Sequence, residues 1–229
     1  MRKKILKKII GSLISPHVKS SFLGSGLIKD NAEILDVGCG NKSVIEIKSI
    51  LPKCIYTGID ITDLNQDEVS KSLMQEYIIS EPDSFSQTIK ELGPKFDLVI
   101  SAHNMEHCDD PEEVVVNILS CIKEGGFLYM SFPTKKSVNF PSREGTLNFY
   151  DDDTHNNEPP DFNKILNTIK DSKFEIIYKS KEYKPFFGYL IGFFLEPFSA
   201  LKKKVLRGTW DYYGFQAIIQ ARKKIHNNL

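Results

Sequence analysis

The chain lacks most of the features that would place it at a glance. It has no charge excess: 30 basic residues balance 30 acidic ones over 229 positions. A general nucleic-acid binder would carry a basic surplus against phosphates, so none is expected as a partner. The four cysteines, Cys39, Cys54, Cys108 and Cys121, are widely spaced and include no Cys-x-x-Cys pair. Free thiols in a reducing cytoplasm are the simplest reading. No apolar run approaches the roughly 20 residues that span a bilayer. The Met1-Arg2-Lys3-Lys4 start looks like the head of a secretory signal. However, Lys7 and Lys8 interrupt the apolar stretch and no small-residue cleavage site follows, so the segment is expected to be retained. Internal repeats, low-complexity tracts and an interdomain linker are also missing. That leaves one domain of ordinary size with a substantial core.

What is present begins with a basic stripe. Ile5, Leu6, Ile9, Ile10, Leu13 and Ile14 recur at helical spacing over residues 2–15, with basic residues at 2, 3, 4, 7 and 8. The pattern predicts an amphipathic helix that either caps the domain or lies on an anionic membrane surface. Residues 1–30 are read as this helix and a connector, and residues 31–229 as the main domain. From residue 32, short apolar runs alternate with helical segments, the signature of an α/β sheet with crossovers. Strands are predicted near 33–37, 54–60, 77–79, 96–100, 127–132, 174–178 and 215–221, and helices over 43–51, 111–123 and 161–171. The 111–123 helix is expected to end at Gly125-Gly126, where glycine suits a helix C-terminus. Residues 133–160 read as a long loop carrying aromatic and titratable groups, the kind that is usually functional. Residues 184–208 form an aromatic-rich insertion before the last strand.

The densest signal is Ile34-Leu35-Asp36-Val37-Gly38-Cys39-Gly40 with Gly58-Ile59-Asp60. An apolar strand ending in Asp and Gly-x-Gly turns sharply into a helix and lets a ligand approach bare backbone. An acid at the end of the next strand is placed to accept hydrogen bonds from a ribose diol. The glycine turn alone is a weak sign, because a dinucleotide fingerprint would carry a third glycine where this chain has Ser43.

Four ordered segments together resemble the class I S-adenosylmethionine-dependent methyltransferases. They are the glycine turn, the Gly58-Ile59-Asp60 strand end, Phe96-Asp97-Leu98-Val99-Ile100-Ser101, and Met105-Glu106-His107-Cys108-Asp109-Asp110-Pro111, with Gly125-Gly126 and an apolar strand following. The resemblance implies a Rossmann-like fold: a mostly parallel seven-stranded sheet, an antiparallel last strand and helices on both faces. It implies S-adenosylmethionine as cofactor. Gly38, Cys39 and Gly40 would line the methionine moiety, with Asp36 behind them. Asp60 would bind the ribose, Ile61 would pack on adenine, Glu81 would reach the adenine amine, and Ser101 and Ala102 would line the cofactor. The family often has a further glycine where this chain has Lys42, which leaves the path of the loop open.

His103 follows the fourth strand on the side where the cofactor's methyl would point, and is the first candidate for general base, since an imidazole can take an acceptor's proton at neutral pH. His107, four residues on, shares a face with it if the segment is helical. Alternatively His103, Glu106 and His107 could hold a divalent metal, with His155 or Asp153 completing the shell. The ubiquinone-type O-methyltransferases look similar here, with a carboxylate in place of His103. Arg143, Tyr150 and His155 of the long loop are expected to contact the acceptor. Chains similar to this one occur among methyltransferases of bacterial surface-polysaccharide pathways, which implies a small-molecule acceptor of carbohydrate type. The rival readings are an NAD-dependent nucleotide-sugar oxidoreductase and a catalytically silent binding module. The insertion could serve as a lid, a dimer interface or a membrane contact, so the enzyme is placed in the cytoplasm, with peripheral attachment to the inner membrane face as an extension.

Overall fold

The computed structural model describes residues 15–63, 66–155 and 158–225. The basic stripe predicted over residues 2–15 thus lies almost wholly outside the described residues. Strands β1 (Glu33–Val37), β2 (Ile55–Asp60), β3 (Glu76–Ile79), β4 (Phe96–Ala102), β5 (Ile122–Pro133), β6 (Phe174–Ser180) and β7 (Gln216–Lys223) form one sheet. Its order is β3-β2-β1-β4-β5-β7-β6. All pairs from β3 through β5 are parallel, and β7 runs antiparallel to both β5 and β6. The order reverses between β1 and β4. In such sheets the crevice beyond the carboxyl ends of these strands takes the ligand.

The sheet is covered on both faces because its strands are apolar on both. Ile34, Leu98 and Ile100 pack with α1 (Lys19–Leu23) and α2 (Ser43–Ile50) through Phe22, Leu23, Val44 and Ile47. Their neighbours Leu35, Val37 and Val99 pack on the opposite side. There they meet Phe85 and Ile89 of α4 (Phe85–Glu91), Val115 and Ile118 of α5 (Pro111–Ser120), and Ile165 and Ile169 of α6 (Phe162–Asp171). A short helix, α3 (Glu68–Leu73), joins β2 to β3. Local signals set the helix starts. The Asp110 side chain accepts the Glu113 amide at 3.0 Å with Pro111 in the first turn. Asp161 accepts the amides of Asn163 and Lys164.

One expectation is corrected. The helix from residue 111 stops at Ser120, and Gly125-Gly126 lies inside β5 instead of capping a helix. Pairing with β4 decides this: Ile122 aligns with Phe96 and Phe127 with Leu98, so the strand starts early and the glycines absorb an irregularity in register. Residues 15–30, read as the end of the helix and a connector, pack on the sheet: Phe22, Leu23 and Ile28 belong to the core. The aromatic insertion is a 17-residue helix, α7 (Phe186–Lys202), followed by α8 (Thr209–Tyr213). It packs at close range: a Cβ on Gly192 would lie 2.0 Å from the Gly208 carbonyl oxygen, so only glycine fits.

The loop between β5 and α6 contains two short 3-10 turns, Lys135–Asn139 and Phe149–Asp151. The Asp151 carboxylate organises it, accepting the amides of Arg143, Leu147 and Asn148 and the Ser142 hydroxyl.

Candidate active site

At the carboxyl ends of β1 and β4 lies a cavity of about 470 Å³, lined by Lys19, Asp36, Gly38, Cys39, Gly40, Asn41, Lys42, Ser43, Glu46, Ala102 and His103. The glycine turn forms its floor. Gly38 has φ 67°, and a Cβ there would lie 2.2 Å from Asn104 Oδ1. The amides of Gly38 and Cys39 both donate to the Ile59 carbonyl, which anchors the turn to the end of β2. Lys42, where the family often has glycine, takes φ 70°. The backbone keeps the left-handed path that favours glycine, and the side chain accepts the strain.

The acids of the site are fixed by neighbours. Asp36 is buried and accepts the hydroxyls of Ser43 and Tyr56. Burial drives its pKa up, and the nearby Lys19 ammonium and those two hydroxyls oppose the rise. The Asp60 carboxylate accepts the Gly40 amide through Oδ2 and the Ile61 amide through Oδ1, each at 2.8 Å. Ile61 is 46% exposed, an apolar face open beside that carboxylate. Ser101 is buried, and its hydroxyl has no hydrogen-bond partner. Glu81 stands exposed just past β3.

His103 has φ 53°, a strained conformation for a side chain of its size. Its Nδ1 faces Glu106 Oε1 at 3.0 Å, while Nε2 is buried with no hydrogen-bond partner. The Glu106 carboxylate is itself almost fully buried, so the natural arrangement is Nδ1–H donating to it, which leaves a lone pair on Nε2. The ring packs against Trp210 and Phe215, with centroids 5.3 and 6.2 Å away.

The expectation that His103 and His107 share a helical face is corrected. Only Met105–His107 forms a single 3-10 turn, and the positive φ at His103 breaks any helix there. His107 instead meets the long loop: its Nδ1 lies 3.1 Å from the Thr154 carbonyl and hydroxyl oxygens, and its ring lies 4.9 Å from that of His155. Among the described residues the metal-competent group is Glu106, His107 and His155, whose ligand atoms lie within 4.8 Å of one another. His103 is not part of it. The donor types fit a divalent ion; His155 Nδ1 is turned to the Phe149 carbonyl, and its Nε2 lies 3.9 Å from the Asp152 carboxylate.

Arg143 does not face an acceptor. Its guanidinium pairs with Glu196 through both terminal nitrogens, at 2.8 and 2.6 Å, and also donates to Ser199. Hydrogen bonding to Glu196 raises its pKa, and the Glu196 carboxyl is held correspondingly low. The physical reason is burial: an arginine 6% exposed must be paired. Tyr150, by contrast, is 60% exposed. Sequence reasoning missed Lys19, Asn41 and Glu46, whose place in the cleft depends on packing. Lys19 comes from a helix before the sheet, donates to Ser43 at 2.9 Å and pairs with Glu46 at 3.1 Å. It also missed Trp210 and Phe215, which cover the base candidate from a segment more than 100 residues away in sequence.

Residues 16–169 match the family described as Methyltransferase domain. Ubiquinone biosynthesis O-methyltransferases of Coxiella burnetii are 27% identical over 122 residues, which is 52% of this chain and 50% of theirs. The chain thus matches about half the length of these curated relatives. Among solved structures, an S-adenosylmethionine dependent methyltransferase from Mesorhizobium loti is similar, with TM-score 0.57, 14% identity, and coverage of 90% of this chain and 98% of the other. An O-methyltransferase family protein from Burkholderia thailandensis gives TM-score 0.56 and 11% identity, covering 90% and 55%. The two structures speak to the fold, and the family match over more than half of the chain speaks to descent. With the glycine turn, the strand-end acid and the reversed sheet order in place, an NAD-dependent oxidoreductase is set aside and the chain belongs to the class I S-adenosylmethionine-dependent methyltransferases.

Proposed function

We propose that this methyltransferase alkylates an oxygen, with nitrogen as the rarer case, on a small molecule that is a sugar or a sugar-linked precursor of a surface polysaccharide. The observation that carries the chemistry is the His103–Glu106 pair at the rim of the cofactor cleft. When bound, S-adenosylmethionine supplies an electrophilic methyl on a sulfonium. The chain's task is to align an acceptor and take its proton. Glu106 fixes the imidazole tautomer, so that the unpaired Nε2 of His103 is the atom that receives the acceptor's hydroxyl proton.

In this reading the turn at Gly38, Cys39 and Gly40 and the buried Asp36 hold the amino-acid end of the cofactor. Asp60 keeps lone pairs for the ribose diol, Ile61 covers adenine, Glu81 reaches its amine, and Ser101 and Ala102 close the floor. Lys19, in the cleft beside them, offers a cation to the cofactor's carboxylate. Tyr150 presents an open ring face to a sugar. Four free cysteines are consistent with a cytoplasmic enzyme. His103→Gln should lower kcat by about 10²–10⁴-fold and leave binding of S-adenosylhomocysteine unchanged. Unchanged turnover would remove His103 from the mechanism. Mass spectrometry of sugar nucleotides incubated with enzyme and cofactor tests the acceptor class.

A second reading rests on the proximity of Glu106, His107 and His155. These residues would hold a divalent cation, which would supply positive charge beside an acceptor oxygen. Elemental analysis of the purified protein and activity after chelation test it. Full activity of metal-free enzyme would end that reading.

A further inference from the structure

A helix on the surface of a globular protein normally turns its apolar residues inward; α7 does the reverse. Its buried positions carry Gly188, Gly192 and Ser199, while Phe186, Phe187, Phe194, Phe198 and Leu201 stand between 52% and 84% exposed. The lone charge between Phe186 and Leu201 is Glu196, and it is committed to Arg143. The outer face is therefore an aromatic and aliphatic strip running from Phe186 to Leu201. Cations flank it. Lys181 and Lys184 precede it and Lys202, Lys203 and Arg207 end it, all exposed and, among the described residues, none in an ion pair. No described helix is long and apolar enough to cross a membrane.

We propose that the outer face of α7 docks on the surface of an anionic lipid bilayer, its axis along the membrane plane. Phenylalanine and leucine side chains enter the boundary between headgroups and acyl chains, and the flanking cations meet lipid phosphates. Ser15, the first described residue, lines a cavity of about 240 Å³ together with Gly188, Ile191 and Asp211 of the same region. A second copy of this chain, carrying the same cations, would add repulsion where an anionic surface adds attraction. The docking face goes beyond the methyl-transfer reading and does not depend on it. It also bears on access: Glu196, on the inner side of α7, ties the helix to Arg143 of the long loop.

The test is sedimentation of the full chain with phosphatidylcholine vesicles and with vesicles that also contain phosphatidylglycerol. The protein should pellet with the anionic vesicles, leave them at high salt, and bind neutral vesicles about tenfold less. The double variant Phe187→Glu/Phe194→Glu should stay in the supernatant with its circular dichroism unchanged. Lys202→Glu/Lys203→Glu should bind anionic vesicles about tenfold more weakly. Salt release of the unsubstituted chain carries the test if a variant fails to fold. No pelleting, equal binding to both vesicle types, or a dimer in light scattering that Phe194→Glu dissolves would overturn the proposal.

Discussion

His103 combines a left-handed backbone, a hydrogen bond to a buried carboxylate and an unpaired ring nitrogen in one residue. Strain of this kind costs about 1–3 kcal/mol and persists where surrounding structure imposes it. Both His103→Gly and His103→Ala should lose methyl transfer. The glycine variant should unfold at higher denaturant than the alanine variant by about 1 kcal/mol, because only glycine relaxes at φ 53°. Equal stabilities would remove strain from the account. Asp36 makes a second test. Burial raises its folded pKa above the unfolded value, so its contribution to stability is complete below the unfolded pKa and is lost as pH rises through the folded one. Asp36→Asn should therefore be more stable than the parent at pH 8, with the gap closing toward pH 4. Thermal melts across that range check it.

At the scale of elements, the long loop and the insertion carry acids of opposite behaviour. Burial acts to raise Asp151, but the Ser142 hydroxyl and the amides of Arg143, Asn148 and Leu147 outweigh it and the pKa falls. Its contribution is present above the ordinary carboxylate range and is lost as pH falls through the depressed value. Asp211 in α8 is pushed up by burial to about 6, against a hydrogen bond from Ser15. Its contribution is present below about 3.8 and disappears as pH rises through about 6. Asp211→Asn should raise Tm at neutral pH and leave it unchanged near pH 4. Asp151→Ala should instead strand three backbone amides, costing about 2 kcal/mol or more, and increase proteolysis of the loop. Both elements meet at Arg143 and Glu196, so the loop is held from the insertion side as well as from its own carboxylate.

For the whole molecule, cofactor binding and folding are linked. A ligand bound to the folded state at about 100 times its Kd stabilises by about 2.7 kcal/mol. S-adenosylhomocysteine should therefore raise Tm by several degrees, NAD should not, and Asp60→Ala should abolish the shift. A shift with NAD instead would contradict the cofactor assignment.

Much of this architecture is local in origin and so was readable from the chain. Apolar runs, Asp-x-Gly-x-Gly and the acid at residue 60 specify strands, a tight turn and a parallel order, because each depends on neighbours a few residues apart. The family resemblance carried by those motifs places Asp36, Gly38, Cys39, Gly40 and Ala102 at the cleft, and all five line the cavity. What tertiary structure decided depends on segments far apart in sequence. Pairing of Ile122 with Phe96 drew Gly125-Gly126 into a strand. Burial of a guanidinium turned Arg143 onto Glu196. Packing brought Lys19 into the cleft and Trp210 onto His103. The same long-range packing, through Gly192 against Gly208, turned the aromatic side of α7 outward. Periodicity reveals that a helix has an apolar face, but only its neighbours determine which way that face looks.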